Sequence, residues 1–346
     1  MKKSFHRRDF LGLAASAGVC AIAARPFRLL AAAEITGEVV ARADQVMGTI
    51  AEIFIRHPDR RFAVRAAEAA LDALRAVDRG LSHFSDTSDV GRLALANGSW
   101  TDVSAGFIEI SGMSARLNRS SGGAFDPAAG AAVRLWKAAA RRGAEPYSAE
   151  IAAQPVGFDH LELETANRRA RLTNPQVRLD FGAIGKGYGA DRAAEALKSL
   201  GVESALVAVS GDIRVVGRLP VQEVAIQDPH DPDGSLAVLE LDDAAVSTSG
   251  DYEQGLWFGK KRRSHLIDPR TKEPVAAPPA SVTVIAPVAA EADALSSAVF
   301  VMGAARGLEL IGSLPGRELL VADASLPGGR VMTPGFARYL RPEPRR

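Results

Sequence analysis

The order of strand and helix patterns in the middle of the chain is the feature that most constrains its fold. Several segments there have the length of strands and are rich in β-branched residues. They are Val177–Asp180, Ser204–Val209, Glu223–Ile226, Ala237–Leu241 and Ser281–Ala286. One helix pattern, Tyr188–Leu200, interrupts them, and a second, Ala289–Met302, follows them. A doubly wound sheet would need a helix after nearly every strand. We therefore predict an α+β fold with a mostly antiparallel sheet and flanking helices.

The first half of the chain adds elements of both kinds. It is predicted to contain a strand at Met47–Arg56, helical spacing from Ala67 to Leu81, and short strands at Leu161–Glu164 and Ala170–Thr173. Ser104 is a typical N-cap residue, and it predicts a further helix that ends before Gly122-Gly123. No internal repeat or linker is found, so residues 34–346 are predicted to form one domain.

Residues 1–33 have the composition of an export signal. Basic residues at the start are followed by a weakly apolar stretch, Leu11–Ala24, which is shorter than the roughly 20 residues of a membrane span. Ala31-Ala32-Ala33 is typical of a cleavage site. Arg7-Arg8, followed by Asp9-Phe10-Leu11, resembles the twin-arginine motif. We predict a twin-arginine signal peptide and a periplasmic protein; a Sec signal or a cytoplasmic tail is the alternative.

The cysteine content and the charge of the chain argue against several kinds of site. Cys20 is the only cysteine and lies in the predicted signal, so no disulfide or thiolate site is expected in the mature chain. Without residues 1–33 the chain keeps 36 Lys and Arg against 40 Asp and Glu. Its one basic run, Lys260–Arg263, falls in a predicted turn. Neither nucleic-acid binding nor a membrane span in the mature chain is predicted.

The segment from Val177 to Gly189 contains the most features suited to binding a ligand. A predicted strand leads into a glycine-dense turn, and a predicted helix follows at once. Backbone amides at such a turn favour a phosphate or pyrophosphate, and Lys186 would add a positive charge. The glycine spacing matches neither a P-loop nor the dinucleotide-binding fingerprint. The alternative is that these glycines only shape a tight bend.

Asp293 and Ser297 are four residues apart near the start of a predicted helix and therefore share one face. A carboxylate and a hydroxyl in that arrangement suit Mg²⁺, which takes few protein ligands besides water and phosphate oxygens. The alternative is that the acidic residue caps the positive end of the helix.

Further polar clusters occur at Gly122–Pro127, Thr248–Tyr252 and His265–Arg270. Turn chemistry explains each of them taken alone, since Asp before Pro commonly caps a bend. No histidine pairs with another at the spacing of zinc ligands, so a zinc site is not expected.

Taken together, these segments resemble the ApbE family, the FAD:protein FMN transferases, across nearly all of the predicted mature chain. Eight pieces occur in the order of the family. They are MGT at 47–49, LSHFSDTSDVGRL at 81–93, SGGAFDP at 121–127, LDFGAIGKGYGAD at 179–191, SGDI at 210–213, STSGDY at 247–252, HLIDPRT at 265–271 and ADALSSA at 292–298.

The resemblance implies an ApbE-like, T-fold-related structure and an enzyme that uses FAD as a substrate beside Mg²⁺. Members pass FMN to a Thr or Ser of a target flavoprotein and release AMP. Position by position, it implies contacts to FAD from Met47, Phe84, Ala124, Phe125, Asp126, Asp180, Lys186 and His265. It also implies metal ligation by the Ala183 carbonyl, Asp293 and Ser297.

The chain departs from the family pattern at three of these positions. Ser297 replaces the usual Thr and keeps the hydroxyl, whereas Phe84 replaces the usual Tyr and loses a hydrogen bond. Ser210 stands where the family has Gly, and it must then adopt a turn that Gly enters more easily. None of the three removes a type of ligand, so activity is expected.

The implied chemistry is phosphoryl-group transfer by positioning and charge neutralisation. The target hydroxyl needs a base, and the sequence leaves Asp293 and His265 both open for that role. Two other functions use the same site: a Mg²⁺-dependent FAD pyrophosphatase and a non-catalytic FAD-binding maturation factor. An exported form resembles the branch that accompanies nitrous oxide reductase, so the expected acceptor is a membrane-associated or periplasmic FMN-binding domain.

Overall fold

The computed structural model describes residues 27–31, 39–217, 222–231, 233–252 and 255–341. Its strands are β1 (Phe27–Ala31), β2 (Val39–Val46), β3 (Thr49–Arg56), β4 (Thr101–Asp102), β5 (Leu161–Glu164), β6 (Arg169–Leu172), β7 (Ala205–Val209), β8 (Asp212–Val216), β9 (Gln222–Gln227), β10 (Ser235–Leu239), β11 (Ala245–Gly250), β12 (Leu256–Phe258), β13 (Lys261–Arg263), β14 (Ile267–Asp268), β15 (Glu273–Pro274), β16 (Ser281–Ala286), β17 (Glu318–Ala322) and β18 (Arg330–Met332).

The α-helices are α1 (Arg60–Leu81), α2 (Asp89–Leu95), α3 (Ala105–Ser120), α4 (Gly130–Arg142), α5 (Ser148–Ala152), α6 (Gly185–Ser199), α7 (Ala289–Met302) and α8 (Ala304–Gly312). Short 3₁₀ turns cover Phe158–His160, Thr165–Asn167, Pro327–Gly329 and Pro334–Tyr339. None of the helices within the described ranges combines the length and the apolar character that crossing a bilayer requires.

The main sheet has eight strands in the order β18-β17-β16-β11-β8-β7-β3-β2. All of its neighbouring strands run antiparallel. Smaller sheets are formed by β1-β9-β10, β4-β6-β5, β12-β13 and β14-β15. The predicted α+β class with a mostly antiparallel sheet is therefore confirmed.

Helices cover one face of the main sheet. Asp59 starts α1 because its carboxylate accepts hydrogen bonds from the N–H groups of Arg61 and Phe62, at 2.8 and 3.1 Å. The apolar face of α1 packs with α6 and with strands β2, β3 and β7 in one buried cluster. Helix α6 also contacts α7, which lies over β11 and β16. The sheet thus fixes α6 and α7 side by side.

The opposite face of the sheet is covered by β9, β10 and the 3₁₀ turn that contains Phe336. Val224, Ile226 and Leu239 pack there against Leu206 and other residues of the central strands. Both faces of the central strands are therefore buried. This explains why every residue of β7, β8, β16 and β17 is buried, and why β7 is apolar along its whole length.

Strand β1 pairs antiparallel with β9, and it lies inside the segment 1–33 predicted to be a signal peptide. The remaining residues of that segment are outside the described ranges. Its assignment as a signal, and the boundary at 33–34, stay predictions.

Several predicted elements match closely. The strand at Ser281–Ala286 and the helix at Ala289–Met302 have the predicted bounds, and Ser104 caps α3 by accepting the N–H of Phe107 at 3.0 Å. The sequence patterns did not reveal β8, β11, β17 or α4.

The predicted strand at Val177–Asp180 is wrong. This segment is extended, but its only ladder contact is an isolated bridge from Arg178 to Ala129. It attaches instead to the turn after Asp126, where Gly130 N donates to Arg178 O at 3.0 Å and Asp180 N to Pro127 O at 2.7 Å. The apolar side chains of Val177 and Leu179 are buried in a helix-lined core, which is why the segment has a strand-like composition without joining a sheet.

Candidate active site

A cleft of about 410 Å³ opens where the β7–β8 turn, the end of β11 and the first turns of α6 and α7 meet. Its other wall comes from the loops at 83–84, 124–130 and 265–269. This volume is within the range of roughly 300–1,000 Å³ that small-molecule sites occupy. Loops from distant parts of the chain therefore converge on one end of a rigid sheet.

Nearly all the residues predicted for the site line this cleft. They are Phe84, Ala124, Phe125, Asp126, Asp180, Ala183, Lys186, His265, Asp293 and Ser297. Met47 is not among the lining residues. It packs beneath α6, and its Sδ would lie 3.0 Å from a Cβ placed on Gly189. The structure shows where these residues lie; their individual roles stay predictions.

Two buried carboxylates hold the ammonium group of Lys186 at the base of the cleft. Lys186 Nζ is 2.7 Å from Asp212 Oδ2 and 3.2 Å from Asp293 Oδ2. The Asp293 carboxylate also accepts the N–H of Gly187 at 3.2 Å. Burial and the neighbouring Asp212 charge raise the pKa of Asp293, although Lys186 and Gly187 act in the opposite direction. This corner therefore attracts positive charge.

The oxygen donors of this corner are of the kind that bind divalent cations. Ser297 lies one helical turn after Asp293, and Ala183 lines the cleft beside Lys186. Buried carboxylate oxygens that already hold a cationic side chain, together with a hydroxyl and a backbone carbonyl, are hard donors of the kind Mg²⁺ prefers. Within the described residues, no group of three or more His, Cys, Asp or Glu side chains is placed to hold a metal.

A chain of serine hydroxyls continues from this corner along β11 and α7. Ser247 Oγ donates to Asp212 Oδ1 at 2.6 Å. Ser249 Oγ lies 2.8 Å from Ser296 Oγ and 3.3 Å from Ser297 Oγ. These hydrogen bonds fix the rotamers of the groups that face the cleft.

Asp293 does not cap its own helix, the role considered for it, and instead accepts the N–H of Gly187 in the first turn of α6. The start of α7 is capped from α6, where Asp191 accepts the N–H groups of Ala289 and Ala290, both at 2.8 Å. Glu291 instead accepts a hydrogen bond from Arg317. Asp293 is therefore left to face the cleft.

Phosphate binding by the glycine-dense segment stays a prediction, and the structure divides its glycines into two groups. Gly182 lines the cleft, whereas Gly185, Gly187 and Gly189 are buried within the first turns of α6. A Cβ on Gly187 would lie 2.2 Å from Ala289 O. Gly187 and Gly189 therefore allow α6 to approach α7 and α1 closely, and the approach to α7 brings Lys186 to Asp293.

We expect Gly187→Ala to destabilise the protein by about 1–3 kcal/mol, the usual cost of forcing an added methyl into a packed core. Urea denaturation would measure the change. Gly112→Ala in α3 is the matched control, because a Cβ there has no neighbour closer than 4.0 Å. The control should be neutral or stabilising by up to about 1 kcal/mol. Equal effects of the two substitutions would contradict the close approach of α6 and α7.

Asp126 and Asp180 lie in the wall opposite α7. Asp126 Oδ1 accepts the N–H of Ala128 at 2.7 Å, so it does cap the turn, as considered from the sequence. Burial raises the pKa of Asp126 to about 6. Asp180 Oδ1 accepts the N–H of Gly182 at 2.9 Å, and His83 Nδ1 lies 3.5 Å from the same oxygen. Both carboxylates are thus held rigidly at the cleft.

Phe84 stands at the mouth of the cleft, and 88% of its surface is exposed. Its ring lies 4.0 Å, centroid to centroid, from that of His83. So large an exposed aromatic surface beside a cavity is suited to stacking on a planar ring.

The cleft side of the 264–269 loop is organised around Asp251. His265 Nδ1 lies 3.2 Å from Asp251 Oδ1, which also accepts a hydrogen bond from Ser264 Oγ at 2.9 Å. Arg262 donates to Asp251 Oδ2 at 2.6 Å. His265 therefore lines the cleft while its Nδ1 atom is hydrogen-bonded to Asp251.

Comparison with known proteins decides the family. The ApbE family profile matches residues 47–321. A protein named FAD:protein FMN transferase from Haemophilus influenzae is 33% identical over 245 residues, which cover 67% of this chain and 68% of the relative. Its namesake from Escherichia coli K12 is 31% identical over 291 residues, which cover 79% and 81%. This chain belongs to the ApbE family.

Solved structures of ApbE proteins share the fold. The ApbE protein of Thermotoga maritima superposes with a TM-score of 0.78 at 28% identity, covering 88% of this chain and 100% of the other. The flavinyl transferase ApbE of Pseudomonas stutzeri gives 0.75 at 28% identity, covering 87% and 96%. The family resemblance seen in the sequence is confirmed, and with it the prediction that the chain is a transferase enzyme.

The departures from the ApbE pattern are accommodated. Ser210 has a φ of +58°, so it does occupy the left-handed turn that Gly enters more easily. Ser297 keeps its hydroxyl at the cleft, and Phe84 keeps an exposed ring there. All three of these residues line the cleft.

Asp212, Ser249 and Asp251 were not singled out as site residues from the sequence. All three lie in motifs that carry the ApbE resemblance, SGDI at 210–213 and STSGDY at 247–252. That membership was the available signal. Asp212 and Asp251 are buried acids, and buried carboxylates need partners that only the fold supplies.

Proposed function

We propose that this ApbE protein is an FAD:protein FMN transferase that attaches FMN, through its phosphate, to a Thr or Ser of a target flavoprotein and releases AMP. One observation carries the proposal. Lys186 is held between the buried carboxylates of Asp212 and Asp293 on the same cleft that presents His265. A corner that holds one cationic group between two carboxylates, on the same cleft as a candidate base, suits transfer of a phosphoryl-linked group.

We propose that the transfer depends on Mg²⁺ held by Asp293, Ser297 and the Ala183 carbonyl. When bound, the ion would neutralise charge on the pyrophosphate oxygens. Lys186 would then be free to turn its ammonium group from Asp293 towards the phosphates, while Asp212 keeps it near the cleft. The serine chain through Ser249 would hold the Ser297 hydroxyl in place.

His265 is the better placed of the two bases considered. Both Asp293 oxygens lie close to Lys186, and one also accepts the Gly187 N–H. His265 has its Nδ1 on Asp251, which leaves Nε2 for the cleft. In the proposed step, the acceptor hydroxyl loses its proton to Nε2 and its oxygen bonds to the FMN phosphorus. The bond from that phosphorus to the bridging oxygen breaks, and AMP leaves with that oxygen.

The test is an incubation of the purified protein with FAD, Mg²⁺ and an FMN-binding acceptor domain, followed by mass spectrometry of the acceptor and chromatography of the nucleotides. We expect FMN on the acceptor and an equal amount of AMP. Free FMN with unlabelled acceptor would indicate a pyrophosphatase instead. Unchanged FAD would indicate a binding protein.

We expect FAD to bind more tightly than FMN, and FMN more tightly than riboflavin. Riboflavin has no phosphate for Lys186 or the metal corner to bind, and FMN lacks the second phosphate and the adenine. Quenching of flavin fluorescence, measured with and without Mg²⁺, would give the order. Equal affinities for FAD and riboflavin would contradict pyrophosphate binding in this corner.

We propose that the protein acts in the periplasm on a membrane-associated or periplasmic FMN-binding domain. The support is the twin-arginine motif at Arg7-Arg8. Replacing this pair with Lys-Lys should leave the protein in the cytoplasm with its signal uncut, as cell fractionation and an immunoblot would show. A variant processed near Ala33 and found in the periplasm would point to Sec export.

A further inference from the structure

Asp251 is a buried carboxylate whose two oxygens have different partners. Oδ1 accepts from Ser264 Oγ at 2.9 Å and lies 3.2 Å from His265 Nδ1, while Oδ2 accepts from Arg262 at 2.6 Å. The side chain of Asp251 is 9% exposed and that of His265 25% exposed. The carboxylate therefore stands behind the imidazole, away from the open cleft.

The hydrogen bonds to Asp251 decide its charge. Burial by itself would raise the pKa of the Asp251 carboxyl, but the hydrogen bonds from His265, Arg262 and Ser264 outweigh it and hold that pKa below its usual value. Asp251 is thus ionised and can only accept hydrogen bonds. The Nδ1 atom of a neutral His265 must then carry the proton, which leaves Nε2 as an acceptor facing the cleft.

We propose that Asp251 is a positioning residue for the transfer reaction, because it selects the tautomer and the orientation in which His265 Nε2 accepts the proton of the acceptor hydroxyl. This inference rests on the proposed function of the cleft. It also gives Arg262 a role. The guanidinium comes from β13, whose register places Arg262 opposite Trp257, and it fixes the carboxylate from the side opposite His265.

The same carboxylate would stabilise the imidazolium that forms as the acceptor proton is taken up. A carboxylate behind an imidazole favours its charged form, because opposite charges a few ångströms apart attract strongly in a partly buried site. Asp251 would therefore act only through His265 and would not itself touch FAD or the acceptor.

A double-mutant cycle of Asp251→Asn and His265→Ala tests this dependence. With saturating FAD, Asp251→Asn alone should slow FMN transfer at least about 100-fold, the lower end of what positioned acid–base catalysis contributes. In the His265→Ala background, Asp251→Asn should alter the residual rate less than about twofold, because Asp251 is proposed to act only through the His265 ring, which is absent there. The affinity of Asp251→Asn for FAD should equal that of the wild type.

Asp72→Asn is the matched control. Asp72 lies on α1, does not line the cleft, has a side chain that is 73% exposed, and accepts a hydrogen bond from Arg75 at 2.7 Å. Its replacement should leave the transfer rate within about threefold, in the ±0.5 kcal/mol range usual for such surface sites. An equal fractional loss from Asp251→Asn with and without His265 would overturn the proposal, because a purely structural effect behaves in that way.

A second measurement does not depend on the transferase reaction. Nitrogen-15 NMR of histidine-labelled protein above neutral pH reports which ring nitrogen of His265 carries the proton, and His265→Gln assigns the signal. We expect the proton on Nδ1 in the wild type and on Nε2 in Asp251→Asn. A wild-type His265 protonated on Nε2 would overturn the proposal whatever the transfer assay shows.

Discussion

Asp293→Ala is expected to reduce FMN transfer by several orders of magnitude while the protein stays folded. The carboxylate is the charged member of the proposed metal corner, and metal charge stabilisation is commonly worth several kcal/mol. Folding should tolerate the change, because Lys186 keeps its 2.7 Å ion pair with Asp212 and is not left as an unpaired buried charge. The rate of acceptor labelling and a thermal melt would measure the two effects.

Calorimetric titration with Mg²⁺ shows whether Asp293→Ala loses activity because a metal-coordinating side chain is gone or because the protein has unfolded. The Asp293→Ala protein should melt as a folded domain and bind Mg²⁺ far more weakly than the wild type. Ser297→Thr is the matched control, since it keeps a hydroxyl on the same face of α7, and its transfer rate should be close to that of the wild type. Near-normal labelling by Asp293→Ala would remove Asp293 from the site, and a large loss in Ser297→Thr would show that packing decides position 297.

His265→Gln is expected to slow FMN transfer about 100- to 10,000-fold, the range that general acid–base catalysis contributes. Glutamine can still hydrogen-bond to Asp251 but cannot take up the proton of the acceptor hydroxyl. FAD affinity should change little, so the loss should appear in kcat rather than KM. Single-turnover labelling of the acceptor would measure the chemical step directly.

His57→Gln serves as the control for replacing a histidine. His57 lies beside the start of α1, where it is half-buried and accepts the N–H of Asp59 at 3.0 Å, and it does not line the cleft. Its replacement should leave transfer unchanged. A His265→Gln enzyme with a wild-type rate would show that Asp293 or the substrate itself takes the proton.

Local patterns in the sequence predicted the elements that carry the site. The strand at Ser281–Ala286, the helix at Ala289–Met302 and the Ser104 cap depend on neighbours a few residues away, which a sequence displays directly. The motif order likewise identified the ApbE family, and nearly all the site residues that it implied line the cleft. The position of Ser210 was also predictable, because a residue in place of Gly at a tight turn must accept a positive φ.

Contacts between distant residues were decided by the tertiary structure alone. Lys186 and Asp293 are 107 positions apart, and Asp191 caps a helix 98 positions later. The same holds for Val177–Asp180, whose composition predicts a strand but whose hydrogen bonds go to the 127–130 turn. Composition and periodicity report which side chains are buried and how they repeat, whereas the partner of a buried polar group depends on which elements the sheet brings together. The sequence by itself therefore determined the family and the chemical groups of this protein, and the fold determined which of those groups meet.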